Sequence, residues 1–250
     1  MGNAVEIVRA LREHLLYLIE SDLEDVCFGV PRSAPDAADP EAGAGTELPG
    51  VDPESRLRAL REELGECRRC SLAKGRRAIV FGEGDPRAEV LFIGEGPGSE
   101  EDATGRPFVG PAGEKLTEII EKGMGIPRSR VFICNIVKCR PPHNRVPLDE
   151  EADACFPFLE RQIEAVRPKV IVTLGHSATC RLLGVRLPMH QLRGRWHSYK
   201  DIPVMPTFHP SYVLRYYTVS VRKQVWEDVR EVKRMLMEGK RRPPAREPEA

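Results

Sequence analysis

Short apolar runs alternate with helical segments along most of this 250-residue chain, beginning near residue 56. The apolar runs lie at 90–93, 131–137, 170–174 and 203–208, and apolar side chains recur at helical spacing at 56–64, 113–121, 149–166 and 219–237. Strands that alternate with helices in this way form a parallel sheet covered by helices on both faces. The sequence therefore predicts an α/β fold.

The carboxyl ends of parallel strands meet at one edge of such a sheet, and ligands bind along that edge. The glycine-rich turn 94–98 follows the first apolar run, and Asn135 lies near the end of the second. Ser177 follows the third run, and His209 follows the fourth. We therefore expect these groups to face a common site.

The N-terminal segment, which ends near position 55, differs in composition from the rest of the chain. Apolar residues at helical spacing predict an amphipathic helix within residues 1–29. A stretch rich in proline and acids predicts a flexible linker at 30–55. The helix either docks on a protein partner or packs on the body of the same chain. The folded domain is predicted at 56–238, and a charged tail at 239–250.

Composition limits the class of protein. Hydrophobic residues make up 41% of the chain and charged residues 30%. These fractions are typical of globular proteins, and no apolar run is long enough to cross a bilayer. The start of the chain lacks the features of a secretory signal. We therefore expect a cytoplasmic protein without membrane contact, and a monomer. Thiols stay reduced in that compartment, so the seven cysteines are first interpreted as ligands or free thiols.

Charge is distributed unevenly although the formal net charge is zero. Residues 1–55 carry three basic and twelve acidic side chains, whereas residues 56–250 carry 35 basic and 26 acidic ones. The body of the protein thus has a net charge of +9 before histidines are counted. A basic body is expected of a protein that binds a polyanion such as nucleic acid.

The turn 94–98 has the sequence Gly-Glu-Gly-Pro-Gly. It lacks the spacing of a dinucleotide-binding loop and the lysine of a phosphate-binding loop. Glycines let backbone amides approach an anion or a planar ligand closely, and Glu95 would project into the pocket. The alternative is a tight turn with a solvated glutamate.

Four cysteines occur in a pattern that suits a soft metal. Cys67 and Cys70 form a Cys-x-x-Cys pair, and Cys139 and Cys155 follow later in the chain. Four thiolates complete either a tetrahedral zinc site or a four-iron cluster, and their spacing does not distinguish the two. The remaining cysteines, Cys27, Cys134 and Cys180, are interpreted as ordinary buried thiols.

Several motifs together resemble the family-4 uracil-DNA glycosylases. They are the cysteine pair at 67–70, the turn 94–98, Arg-Pro-Phe-Val-Gly at 106–110, Asn-Ile-Val-Lys-Cys-Arg-Pro-Pro at 135–142, Cys155, and His-Pro-Ser-Tyr-Val-Leu-Arg at 209–215. The resemblance covers residues 58–237. It implies a single three-layer α/β/α domain with a short central parallel sheet, a 4Fe-4S cluster bound by the four cysteines, and excision of uracil from DNA as the first step of base excision repair.

The same resemblance assigns a uracil pocket. Cleavage of the glycosidic bond leaves negative charge on the departing base, which His209 would stabilise by a hydrogen bond to uracil O2. Phe108 would stack on the base after it leaves the duplex, and Asn135 would bind its imide edge. A backbone amide near Gly96 would hold the pyrimidine.

Water must attack the sugar on the face opposite the base. We expect Glu95, Glu101 and Asn144 to position this water and stabilise the charge on the sugar, with their individual roles left open. The cluster is expected to be structural, because it would fix the loop between Cys139 and Cys155 against DNA and hydrolysis needs no electron.

Four residues are predicted to contact DNA outside the pocket. Leu214 is a suitable apolar wedge for the gap that the extruded base leaves, and Arg215 follows it. Ser177 and Ser211 lie near predicted helix starts, where short hydroxyl groups can bind flanking phosphates.

Other functions stay open at this point. His143 lies near the expected sugar site, and an imidazole there could become covalently attached to uracil-containing DNA. A non-catalytic iron-sulfur subunit that binds DNA would share the cysteines and the basic body. A third hypothesis is an enzyme that acts on small phosphate compounds. The missing phosphate-loop lysine and the lack of an obvious carboxylate pair for magnesium argue against it.

Overall fold

The computed structural model describes residues 52–239. The predicted helix within 1–29 and most of the predicted linker and tail lie outside these residues. The described part contains a six-stranded sheet with the strand order β1-β3-β2-β4-β6-β5. Its strands are β1 (Glu83–Gly84), β2 (Val90–Gly94), β3 (Phe132–Asn135), β4 (Val170–Leu174), β5 (His197–Tyr199) and β6 (Ile202–Thr207).

The four central strands are parallel and correspond to the four apolar runs. All residues of β2 and β4 are buried, as expected of strands that helices cover on both faces. In the register of β2 and β3, Gly94 lies opposite Asn135. The carboxyl end of β2 therefore lies beside the polar end of β3.

Two short antiparallel strands, which the sequence analysis did not predict, flank this parallel core. β1 pairs with β3, and β5 pairs with β6. A strand as short as β1 cannot show an alternating pattern, and β5 consists of polar or amphipathic residues. The sheet is therefore mostly parallel with antiparallel edges.

Eight α-helices surround the sheet in the described residues. They are α1 (Pro53–Leu64), α2 (Ser99–Thr104), α3 (Pro111–Glu118), α4 (Asp149–Val166), α5 (His176–Leu183), α6 (Met189–Leu192), α7 (Pro210–Arg215) and α8 (Val219–Glu238). A π-helical turn, Ile119–Met124, extends α3, and 3₁₀ turns lie at Ser71–Lys74, Arg128–Arg130 and Pro142–Asn144.

The helices form two layers, one on each face of the sheet. Leu60 of α1 and Leu159 of α4 pack in one core with Leu91 and Ile93 of β2. Phe92, which points to the opposite face, packs with side chains of α3, α7 and α8 in a second core. The predicted three-layer α/β/α domain is confirmed, and it places helix starts along the carboxyl edge of the sheet.

Candidate active site

The glycine turn after β2 permits unusually close packing. A Cβ atom on Gly94 would lie 2.5 Å from Asn135 Oδ1 and 2.5 Å from Phe108 Cζ, and one on Gly96 would lie 2.9 Å from Val137 Cγ2. A real Cβ cannot approach heavy atoms so closely without displacing them. Gly94 therefore brings the aromatic ring and the amide together at the sheet edge, beside the half-buried Glu95.

Glu101 connects this turn to the loop that carries Phe108. Its Oε2 accepts a hydrogen bond from the N–H of Gly98 at 3.0 Å. Its Oε1 accepts from the N–H groups of Val109 at 2.9 Å and Gly110 at 3.0 Å. Because backbone donors engage both carboxylate oxygens, Glu101 fixes the relative position of the two loops.

Phe108 has a backbone conformation that is rare for a residue with a side chain. Its φ is +51°, and its side chain is buried. Such a conformation costs on the order of 1–3 kcal/mol and persists where surrounding contacts enforce it. Gly113 leaves room for it, since a Cβ there would lie 1.9 Å from the Phe108 carbonyl oxygen. Arg128 donates to the carbonyl of Pro107 at 2.8 Å and holds the loop from the other side.

Asn135 ends β3 with its side chain almost completely buried, at 1% exposure. Among the described residues, its Oδ1 is the one buried side-chain oxygen or nitrogen without a hydrogen-bond partner. A buried amide oxygen without a partner costs roughly 1–3 kcal/mol. A ligand that donates a hydrogen bond to this amide would remove that cost.

His209 caps the N-terminus of α7 and faces Phe108, with the two ring centroids 5.7 Å apart. The N–H of Ser211 donates to Nδ1 at 3.1 Å, and the Ser211 hydroxyl lies 2.7 Å from the same nitrogen. Burial lowers the pKa of His209 to about 4, against the opposing charge of Glu101. The imidazole is therefore neutral near pH 7. Since Nδ1 accepts a hydrogen bond, the proton resides on Nε2.

The loop that follows Cys139 carries His143 and Asn144. Both residues are exposed and have positive φ angles, 55° and 56°. Asn144 Oδ1 accepts a hydrogen bond from Arg140 Nε at 2.7 Å, which holds the amide within its own loop.

Glu151, which the sequence analysis missed, anchors this loop. Its fully buried carboxylate accepts two hydrogen bonds from Arg145 at 2.8 Å, one from the Ser71 hydroxyl at 2.6 Å, and one from the N–H of Leu148 at 2.9 Å. The Arg145 hydrogen bond, chiefly, lowers the pKa of Glu151 to about 2. A glutamate at the third position of a helix is a recognisable capping signal. Its contact with Ser71, which is distant in the sequence, has no such signal.

The four predicted DNA contacts lie at two helices on the same edge of the sheet. Ser177 is half-buried in the first turn of α5, and Ser211 is exposed in the first turn of α7. Leu214 and Arg215 end α7, and Leu214 is 40% exposed. Leu214 is thus an exposed apolar side chain on the helix that His209 caps, and its role as a wedge stays a prediction.

The four predicted cysteine ligands lie in or against one apolar core. Cys67, Cys70 and Cys155 pack against the core cluster that contains the buried Cys139. Arg76 donates to the Cys67 carbonyl at 2.6 Å and to Cys139 Sγ at 3.5 Å. Burial raises the pKa of Cys139 to about 11, with Arg76 opposing and the neighbouring Cys155 and Cys70 adding to the shift.

Cys134 and Cys180 are buried thiols, as predicted, whereas Cys27 lies outside the described part. Within residues 52–239, no three His, Cys, Asp or Glu side chains are grouped as a site for a metal ion. Cysteine sulfur is nevertheless the donor type that iron-sulfur clusters require, and all four candidates are free thiols.

Comparison with known proteins identifies several similar sequences. The model of the uracil DNA glycosylase superfamily matches residues 81–230. A type-4 uracil-DNA glycosylase of Sulfurisphaera tokodaii is 42% identical over 193 residues, which cover 74% of this chain and 87% of that protein. The type-4 uracil-DNA glycosylase of Thermotoga maritima is 44% identical over 187 residues, which cover 73% of this chain and 96% of that protein.

A type-5 uracil-DNA glycosylase of Pyrobaculum aerophilum is less similar, with 31% identity over 145 residues. The matched residues cover 51% of this chain and 63% of that protein. Among the described helices of this chain, none combines the length and the apolar character that a bilayer span requires.

Proposed function

This chain belongs to the uracil DNA glycosylase superfamily, and from that membership we propose that it excises uracil from DNA by hydrolysis of the N-glycosidic bond. The product is an abasic site, which places the reaction at the start of base excision repair. Uracil-containing DNA is the substrate. The chain acts as a monomer in the cytoplasm, and its N-terminal segment binds a protein partner.

The convergence of Phe108, Asn135 and His209 around Gly94 carries this proposal. The three side chains offer an aromatic face, an amide and a neutral N–H donor. Uracil has a flat ring, an imide edge with a donor between two carbonyl groups, and a carbonyl O2 beside the scissile bond. Each side chain therefore matches one feature of the flipped base. The Asn135 Oδ1 without a partner is the acceptor that the uracil N3–H requires.

His209 stabilises the leaving group without transferring its proton. As the glycosidic bond breaks, its electron pair moves onto uracil, and negative charge develops on O2. The Nε2–H of neutral His209 donates a hydrogen bond to that oxygen. A donor that is already oriented when charge develops typically contributes about 10²–10³ in rate.

Glu95, within the glycine turn, and Asn144, in the loop after Cys139, are the proposed water-positioning pair. The carboxylate of Glu95 would stabilise the positive charge on the sugar and orient the water. We assign Glu101 a positioning role, because backbone amides occupy its oxygens. Gly96 provides a backbone amide close to the base.

DNA is held by residues of α5 and α7 beside the pocket. Leu214 fills the gap that the extruded base leaves, and Arg215 contacts the adjacent backbone. Ser177 and Ser211 bind flanking phosphates through hydroxyl groups at helix N-termini. Ser211 thus contributes twice, because its N–H also fixes the tautomer of His209.

Cys67, Cys70, Cys139 and Cys155 are the proposed ligands of a 4Fe-4S cluster. When bound, the cluster supplies rigidity rather than electron transfer, since hydrolysis is not a redox reaction. Arg76 and Ser71 connect the first cysteine pair to Cys139 and Glu151, respectively. The cysteine site and the loop of Asn144 are therefore parts of one anchored unit.

The test is incubation of the purified protein with an end-labelled oligonucleotide that contains one uracil. One half of each sample is heated in alkali, and the other half is run on a denaturing gel without alkali. Alkali-dependent cleavage at the uracil supports the proposal. An adduct that survives denaturation would instead indicate capture by His143, and binding without cleavage or adduct would indicate a non-catalytic iron-sulfur DNA-binding subunit.

A further inference from the structure

Lys138 is buried at 1% exposure, between the pocket and the cysteine site. Lysine is almost never fully buried unless its ammonium group is paired, because the charge loses its hydration. Its Nζ donates to the backbone carbonyl of Asn135 at 2.6 Å and to Gln162 Oε1 at 2.6 Å. Both of these acceptors are neutral. The ammonium is therefore held by two short hydrogen bonds to neutral acceptors, one from β3 and one from α4.

The backbone of Lys138 faces the cysteine site. Its N–H faces the sulfur of Cys155, and Cys139 is the next residue in the chain. Lys138 is thus the direct neighbour in sequence of one proposed ligand, Cys139, and lies close to a second, Cys155.

The two side-chain hydrogen bonds of Lys138 connect α4, the helix that carries Cys155, with the end of β3 at the pocket. Cys155 and Gln162 both belong to α4 and are spaced so that they lie on the same face two turns apart. Gln162 also donates to the carbonyl of Phe81 at 2.8 Å. Lys138 therefore contacts α4 at two points and fixes the end of β3 against it.

The amide of Asn135 depends on this support. Its Oδ1 has no hydrogen-bond partner among the described residues, so the backbone of residue 135 and the close packing against Gly94 hold the amide in place. Pairing with β2 holds one side of that backbone, and the ammonium of Lys138 holds its carbonyl. A displacement of α4 or the loss of the ammonium would move the amide.

We propose that Lys138 is a positioning residue that couples the cysteine site to the orientation of Asn135, and thereby to recognition of uracil. The proposal rests on the proposed function for its last step only. The step from the cysteine site to β3 stands on the contacts of Lys138. The two steps can therefore be tested separately.

The experiment compares Lys138→Met, which keeps the length of the side chain and removes its charge and donors, with Lys138→Gln, which keeps a donor. Lys169→Met is the matched control, because Lys169 is 61% exposed and forms a surface ion pair with Glu89. Iron content per chain, hydrogen exchange of the peptide 132–138 and single-turnover uracil release are measured on each holoprotein. Affinity for the same DNA with thymine in place of uracil reports general DNA binding.

At iron content equal to wild type, Lys138→Met is expected to exchange faster at 132–138 and to release uracil about 10–100-fold more slowly, the usual effect of removing an outer-shell contact. Lys138→Gln should be intermediate, and binding of thymine DNA should stay unchanged. Unchanged hydrogen exchange at 132–138 in Lys138→Met would overturn the coupling. A loss of iron in both Lys138 variants that accounts for all of their lost activity would also overturn it. If the wild-type protein releases no uracil but Lys138→Met still shows faster hydrogen exchange at 132–138, the coupling is upheld and the proposed function is rejected.

Discussion

The backbone N–H of Ser211 donates a hydrogen bond to Nδ1 of His209 across 3.1 Å. This contact determines which nitrogen of the ring carries the proton, because an Nδ1 that accepts a hydrogen bond cannot hold a hydrogen. His209 therefore presents Nε2–H to the pocket as a neutral donor. The N-terminus of α7 thus prepares the group that meets the departing base.

His209→Ala should lower the single-turnover rate of uracil release by about 10²–10³, the usual effect of losing one donor to a developing oxyanion. Binding of uracil-free DNA should change little, because the ring faces the pocket. Single-turnover kinetics and a DNA-binding titration measure the two effects. His190→Ala, in the short helix α6, is the matched control and should retain the wild-type rate.

The rate should not fall between pH 7 and pH 5 through protonation of His209. Its pKa in the folded protein is about 4, below the ordinary value of 6.5, so the neutral form persists over that interval. Loss of activity from this group is expected only as the pH approaches 4. A single-turnover pH profile that breaks near pH 6.5 for wild type, but not for His209→Ala, would show that the imidazole titrates normally.

Glu151→Gln should lower the free energy of unfolding by about 2 kcal/mol at pH 7, because the change removes a buried, charge-assisted hydrogen-bond acceptor. The folded pKa of about 2 lies below the ordinary 4.5, so the stabilisation is fully present above pH 4.5 and is lost as the pH falls toward 2. Urea titrations at pH 7 and pH 3 measure it. Glu227→Gln, which alters an exposed pair with Lys223, should have almost no effect. An equal difference between wild type and Glu151→Gln at both pH values would contradict the assignment.

Gly113→Ala should displace Phe108 and reduce uracil release more than it reduces stability. The new methyl group would lie 1.9 Å from the Phe108 carbonyl oxygen, so the loop must move to accommodate it. Gly75→Ala is the control, since its Cβ meets nothing within 4 Å and its φ is −110°. Rates and unfolding midpoints should be measured together. Wild-type activity in Gly113→Ala would show that the backbone of Phe108 does not set the pocket.

Much of the fold followed from local patterns. The buried strands β2 and β4 were predicted from continuous apolar runs, and the register of β2 and β3 explains why Asn135 meets the glycine turn. The edge strands β1 and β5 were not predicted, because neither has enough apolar residues to show a period. The family and the α/β/α architecture are confirmed, and the roles of individual site residues stay predictions.

Tertiary contacts account for what the sequence did not reveal. The expectation that Glu101 positions water stays a prediction, and its hydrogen bonds to the amides of Val109 and Gly110 were not foreseen, because they depend on how two loops meet. Lys138 is hydrophilic and would be expected on the surface, yet the fold buries it beside Asn135. Neither relationship has a signature in the local sequence, since each depends on groups from separate elements.

The release of free uracil tests the central claim most directly. A duplex with one labelled uracil is incubated with excess protein, the free base is separated by chromatography, and a duplex with labelled thymine at the same position serves as control. We predict one free uracil for each abasic site formed, no release of thymine, and release slowed by about 10²-fold or more in Asn135→Ala. Abasic sites without free uracil, or wild-type release by Asn135→Ala, would contradict the account.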